Sequence, residues 1–174
     1  MKRLLGVVCV LLTAGMVLLA QSPKPAEGIG TWRLNLSKSK WSPGPAQTAP
    51  VADLRQFENR KDGYTVVTIT GVNAQGDPTF QQIIYKLDGK DYPQYTSVNL
   101  AEFAATGAKP GTTSVKLIDD YSVSILTKNA QGVASAIPII RSVSKDGKTM
   151  TMTTKGTNAR GVTVENILVY DRVH

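Results

Sequence analysis

From about residue 64 onward the chain alternates β-branched or aromatic residues with polar ones, the period of a strand with one buried face. Tyr64-Thr65-Val66-Val67-Thr68-Ile69-Thr70, Tyr121-Ser122-Val123-Ser124-Ile125-Leu126-Thr127 and Thr149-Met150-Thr151-Met152-Thr153-Thr154 carry the pattern most clearly. Helical spacing is nearly absent. Runs between turn signals place strands near residues 30–36, 54–60, 64–72, 79–87, 112–119, 121–129, 133–144, 148–156 and 162–173, with a further one near 94–99.

The turn signals recur in a fixed order. Asn73-Ala74-Gln75-Gly76, Asn129-Ala130-Gln131-Gly132 and Asn158-Ala159-Arg160-Gly161 each interrupt two strand-like runs, and each offers Asn and Gly for backbone conformations that other residues resist. Between them, Asp62-Gly63, Asp88-Gly89 and Asp146-Gly147 are short-range hairpin signals for the opposite end. One period of the repeat is skipped between residues 92 and 113, where a longer loop replaces a hairpin tip. Residues 100–105 there read as a short helix ended by Gly107 and Lys109-Pro110-Gly111, and a loop of this length suits a lid or portal.

Strands joined by tight hairpins form a meander, and closing a meander removes the exposed edges that invite aggregation. The expected fold is therefore all-β, an antiparallel up-and-down barrel of 8–10 strands. Residues 37–50, rich in Ser and Pro, read as an irregular crossing after the first strand. Pro138 should mark a bulge or edge, because it cannot donate to a ladder.

The amino terminus reads differently. Met1-Lys2-Arg3 is basic, residues 4–19 are almost wholly apolar, and Ala20 precedes Gln21-Ser22-Pro23, the order of a secretory signal peptide. The expectation is a signal over residues 1–20 cleaved near Ala20, a flexible segment over 21–29, and one barrel domain over 30–174, secreted or periplasmic. The rival is an uncleaved anchor, since the apolar run falls just short of the roughly 17 to 25 residues that span a bilayer. Lipid attachment at Cys9 is disfavoured by Val8, where such signals carry a small residue. After cleavage no membrane insertion is expected.

Cys9 is the only cysteine and leaves with the signal, while His174 is the only histidine. Disulfides, thiolate nucleophiles, Ser/His pairs and imidazole-based zinc sites are thereby excluded from the mature domain. No metal and no cofactor are expected. The full chain carries +7 and loses two of those charges with Lys2 and Arg3. The remaining bases are scattered and mostly flank turns, where solvated charge is expected, so solvation is preferred to an anionic partner as their explanation; no specific nucleic acid is expected, and a monomer is. The acids Asp62, Asp77, Asp88, Asp91, Asp119, Asp120 and Asp146 sit in turns, where local hydrogen bonding accounts for them.

Gly30-Thr31-Trp32-Arg33-Leu34 opening the first strand and Tyr170-Asp171-Arg172-Val173 closing the last resemble the calycin superfamily of lipocalins and fatty-acid-binding proteins. The resemblance implies that Gly30 and Trp32 begin the barrel and that Arg172 packs across the indole at the closed end, gaining about 0.5 to 2 kcal/mol of cation–π attraction. The wider run from Gly30 to Lys40 and Lys145-Asp146-Gly147-Lys148 are similar to exported bacterial proteins with no assigned activity. The chain departs from the fatty-acid-binding pattern where Leu168-Val169-Tyr170 stands in place of Arg-x-Tyr, which puts a carboxylate clamp in doubt. The Pro-rich residues 41–50 also cannot form that family's helical lid, so a lipocalin-like open cup fits better.

The aromatics offer a mixed apolar and hydroxyl lining, and Tyr64, Phe80, Tyr85, Tyr95, Phe103, Tyr121, Leu168 and Tyr170 are the candidate ligand contacts. Each could equally fill a core, because alternation does not say which face points inward. The first functional reading is a barrel binding a small, largely apolar molecule. The second is a cell-envelope or extracellular interaction module with a filled barrel. The third, weakened by the missing histidine and cysteine, is a hydrolase or isomerase using a carboxylate or tyrosine as acid or base.

Overall fold

The computed structural model describes residues 24–42, 50–96, 104–158 and 160–173. The expected signal peptide, Phe103 and most of the expected helix over 100–105 lie outside the described residues, although Ala104, Ala105 and Thr106 are helical.

Ten strands follow one another: β1 Gly30–Leu34, β2 Ala52–Asn59, β3 Thr65–Val72, β4 Pro78–Tyr85, β5 Asp88–Thr96, β6 Thr112–Leu117, β7 Ser122–Lys128, β8 Ile139–Val143, β9 Thr149–Thr157 and β10 Thr163–Val173. Each pairs antiparallel with its neighbours in sequence, and β1 pairs with β10, so the meander closes into a barrel without an open edge. The closed antiparallel up-and-down barrel expected from the alternation and the turns is the fold of this protein.

The repeat of Asn turns has one physical cause. In each, the Asn side-chain oxygen accepts backbone N–H groups two and four residues on: Gln75 and Asp77 on Asn73, Gln131 and Val133 on Asn129, Arg160 and Val162 on Asn158, all between 2.8 and 3.1 Å. The closing glycines take positive φ, 91° at Gly76, 80° at Gly132 and 75° at Gly161, where a side chain would be strained. These three turns share one end of the barrel with the connection between β5 and β6, which replaces the missing tip. The Asp-Gly turns occupy the other end. There Asp88 and Asp146 accept the amides of Lys90 and Lys148 at 3.0 Å each.

Two strands differ from expectation. β5 runs the full span from Asp88 to Thr96, where sequence suggested only 94–99, because its first half is polar and turn-like while still pairing with β6 across an irregular register. β8 is only Ile139–Val143 rather than 133–144. Pro138 stands immediately before it, and the preceding residues keep only an isolated bridge between Ala134 and Lys128, in which Ser135 N–H donates to the Thr127 carbonyl and Asn129 N–H to the Val133 carbonyl.

The segment over residues 21–29, expected to be flexible, is described from Lys24 on. From there it crosses the Asp-Gly end, with a 3-10 turn at Pro25–Glu27 and Ala26 only 1% exposed. The Ala26 amide donates to the Asp120 carbonyl at 2.9 Å, and Trp32 Nε1–H donates to the Gly28 carbonyl at 2.5 Å. Trp32 itself is wholly buried, and the Arg172 guanidinium lies 4.5 Å from its ring centroid while donating to the Gly147 carbonyl. Gly30 is required beside them: a Cβ there would sit 2.6 Å from an Arg172 nitrogen. This end is closed and packed, with Phe57, Tyr85, Val115, Val123, Met150 and Tyr170 in one buried core with the indole.

Two outcomes follow from this packing and these turns. Trp32→Ala should cost about 3 to 5 kcal/mol in a chemical denaturation experiment, the range for emptying a large core site. The carboxyls of Asp88, Asp146 and Asp171 are held below the usual carboxylate value, chiefly by the Lys90 amide, the Ser144 hydroxyl and the Asn35 amide respectively. Their folded pKa is thus below the unfolded one, so their contribution is complete above the ordinary value of 3.8 and is lost as pH falls through the lower folded value. A urea midpoint followed from neutral pH downward should hold until about pH 4 and then drop, with the drop reduced in Asp146→Asn.

Candidate functional site

Inward residues on alternate positions of the strands do not fill the barrel evenly. Below, large side chains meet. Toward the end carrying the Asn turns, they leave a cavity of about 360 Å³. Its apolar wall is Ile69 of β3, Ile83 of β4, Ile125 of β7, Ile139 of β8, Met152 of β9 and Leu168 of β10, with Trp41 of the β1–β2 crossing beside them. Trp41 reaches this place because the crossing climbs along β10: Lys40 pairs with Ile167, and the Ser42 amide donates to Asn166. Gln81, Gln94, Thr113, Thr127, Thr154 and Asn166 supply polar lining. A wider surface groove of about 680 Å³, lined by residues 108–111 and 127–131, shares Gln94 and Thr127 with the cavity and forms an approach to it.

Arg55 is the charged group of this cavity. It stands on the inner face of β2 between Asp53 and Phe57, and its guanidinium donates to both Asp53 oxygens, by Nε at 3.1 and 3.2 Å and by Nη2 at 2.8 Å. Asp53 also accepts the Tyr170 hydroxyl at 3.0 Å, and the guanidinium lies 5.1 Å from the Tyr170 ring centroid. Among the described residues, the Met152 sulfur is the acceptor of Nη1, at 2.9 Å. A thioether is a weak acceptor, so this N–H edge keeps capacity for a better one. Burial pulls the Arg55 pKa down, but attraction from Tyr170 and Asp53 outweighs it and holds the cation above its ordinary value. Burial pushes the Tyr170 phenol up, with Asp53 adding to the effect and Arg55 opposing it.

Beneath the cavity is a chamber of about 30 Å³ that shares Arg55, Ile69, Ile83, Thr113, Ile125 and Met152 with it. Its lower lining includes Tyr85 and Arg141. Arg141 is 1% exposed and makes no salt bridge with any described carboxylate. It donates instead to the Tyr85 hydroxyl at 3.0 Å and to the Ala26 carbonyl at 2.7 Å, and it lies 4.6 Å from the Phe57 ring centroid. Among the described residues, its Nε has no hydrogen-bond partner.

Of the candidate contacts read from sequence, the structure brings three to the interior around this site: Leu168 on the cavity wall, Tyr85 on the chamber, and Tyr170 behind Arg55. Phe80 and Tyr95 stand on the outer face. They alternate with Gln81 and Gln94, which point inward, and Phe80 is 36% exposed. Tyr64 is at the closed end, edge-on to Tyr92 with centroids 5.8 Å apart and with Lys86 Nζ 4.4 Å from its centroid. Tyr121 belongs to the turn between β6 and β7, where its amide donates to Asp119. Asp53, Arg55, Arg141 and Trp41 were missed. The shared parity of Asp53, Arg55 and Phe57 was the available signal, because placing Phe57 inward places both charges inward too. Among the described residues no group of three His, Cys, Asp or Glu is placed to hold a metal.

No protein-family model matches the chain, and no curated protein matches it. Solved structures do. A mutant of the fluorescent protein UnaG aligns with a TM-score of 0.54 at 14% identity, over 85% of this chain and 97% of that one. The wild-type UnaG structure aligns with a TM-score of 0.51 at 15% identity, over 83% and 96%. The likeness shows the fold, a closed antiparallel lipocalin-like barrel. At this identity the likeness concerns the path of the backbone, and the interior of the barrel is furnished by side chains particular to this chain.

The Asp53–Arg55 pair gives the site its sharpest energetic test. Arg55→Met should destabilise by about 3 to 5 kcal/mol, because it strands the buried Asp53 carboxylate. The double change Asp53→Leu with Arg55→Met should recover most of that loss in the same denaturation assay.

Proposed function

We propose that this protein is an exported, non-enzymatic calycin-type barrel that binds a small, largely apolar molecule carrying one hydrogen-bond-accepting, preferably anionic, end. The carrying observation is the cavity of about 360 Å³ with six aliphatic or thioether walls and one incompletely used guanidinium, that of Arg55. That volume lies within the roughly 300 to 1,000 Å³ typical of small-molecule sites, and the mix of apolar walls with few directed polar groups is what such sites use for affinity and orientation. The buried charge favours an anion. Arg55 and Arg141 face a single carboxylate, Asp53, among the described interior residues, which leaves one positive charge in excess. The calycin fold supports the reading because such barrels enclose ligand space at one end. Export rests on the basic, apolar and small-residue order of residues 1–20, and places the binding event in the periplasm or outside the cell.

Calorimetric titration with dodecanoate, dodecanol and dodecylamine should rank the three in that order, with dodecanoate at least about tenfold tighter than the amine and a negative heat-capacity change from apolar burial. Leu168→Trp, which fills the cavity from β10, should abolish binding while the β-sheet circular dichroism is kept. Absence of binding by all three, or preference for the amine, contradicts the proposal.

A further inference from the structure

The segment over residues 24–29 is held at the closed end by bonds of two kinds. On the outside, Lys24 pairs with Asp120 at 2.8 Å, the Ala26 amide meets the Asp120 carbonyl, and the Asn59 amide donates to Glu27. On the inside, Arg141 donates to the Ala26 carbonyl at 2.7 Å and to the Glu27 carbonyl at 3.4 Å. Arg141 thus has the segment on one side and, through its bond to Tyr85, the chamber that continues the ligand cavity on the other.

We infer that residues 24–29 are a latch on the barrel's lower end and that Arg141 links the latch to the cavity, so that an anionic group entering the chamber competes with the latch carbonyls for one guanidinium. The inference rests on the proposed ligand site. Its physical basis is the difference between acceptors: a carboxylate offers a guanidinium an opposite charge and a bidentate pair of oxygens, which a neutral carbonyl does not. The unpartnered Nε shows that the present acceptors do not use all the donors of this buried cation. A carboxylate in the chamber draws Arg141 inward, and the Ala26 and Glu27 carbonyls lose their interior partner. Linkage requires the reverse as well, so an open latch must bind the anion more tightly than a closed one by the same factor by which the anion favours opening.

Hydrogen exchange of the full chain, read on peptides covering residues 24–32, tests this with dodecanoate as probe and dodecanol as the uncharged control. Dodecanoate should raise exchange across 24–29 several-fold, and dodecanol should leave it unchanged. Arg141→Met should exchange the latch about tenfold faster without ligand and show no further response to dodecanoate. A bound dodecanoate, verified by native mass spectrometry, that leaves the latch unchanged or slows it overturns the inference while leaving the cavity reading intact. Should Arg141→Met not fold, Lys24→Ala removes only the outer ion pair with Asp120 and should tighten dodecanoate; unchanged or weaker affinity overturns the inference. If dodecanoate fails to bind the wild-type chain at all, the cavity reading and the link both fall.

Discussion

A single sheet can hide all of its edges only by pairing its first strand with its last, and in this protein that closure is fixed by Trp32. The indole sits where β1 meets both β2 and β10, opposite Arg55 on one side and Arg172 on the other. It is covered by the Arg172 guanidinium and tied by its N–H to Gly28. Closure, the floor of the barrel and the docking of the amino-terminal segment therefore depend on one side chain. The stabilisation comes from burial of a large aromatic surface, with the cation–π contact adding a smaller share of about 0.5 to 2 kcal/mol.

From that floor the interior grades from packed to open. Below the Arg55–Asp53–Tyr170 group, aromatic and methionine side chains fill the barrel; above it, isoleucines and Leu168 only line it. Two buried guanidiniums mark the boundary, and they are satisfied differently. Arg55 is neutralised by a carboxylate and locked to a tyrosine, whereas Arg141 relies on neutral oxygens and a phenylalanine face. A buried cation without a carboxylate is costly to keep unless its surroundings use it. Here it clasps residues 24–29 and contributes to a positive interior.

The alternation and the turn residues carried the architecture in plain view. Asn73, Asn129 and Asn158 could be recognised because each satisfies its own turn locally, and local chemistry is what a linear sequence displays. Strand β5 was harder, since Asp88 to Asp91 resemble a turn and join the sheet only because β6 offers them partners. The segment over 24–29 was hidden for a similar reason: Pro25 and Gly28 suggest a loose lead-in, and its order comes from Arg141, Asp120 and Trp32, which are distant in sequence. The site was legible only in part. Leu168 and Tyr170 could be named from the last strand, but which face looked inward was undecided, and Phe80 and Tyr95 fell on the outside once the sheet had closed. Charged Asp53 and Arg55 did not suggest an interior position, because their burial depends on each other and on Tyr170.

The central claim is that the end carrying the Asn turns holds an accessible, ligand-sized space above a packed base. Native mass spectrometry of the protein gently purified from its own host tests it most directly. The account predicts a population carrying one small molecule, released on mild activation and recovered as an apolar acid. A protein that flies only as the bare chain, and stays bare after incubation with host lipid extract, would contradict it.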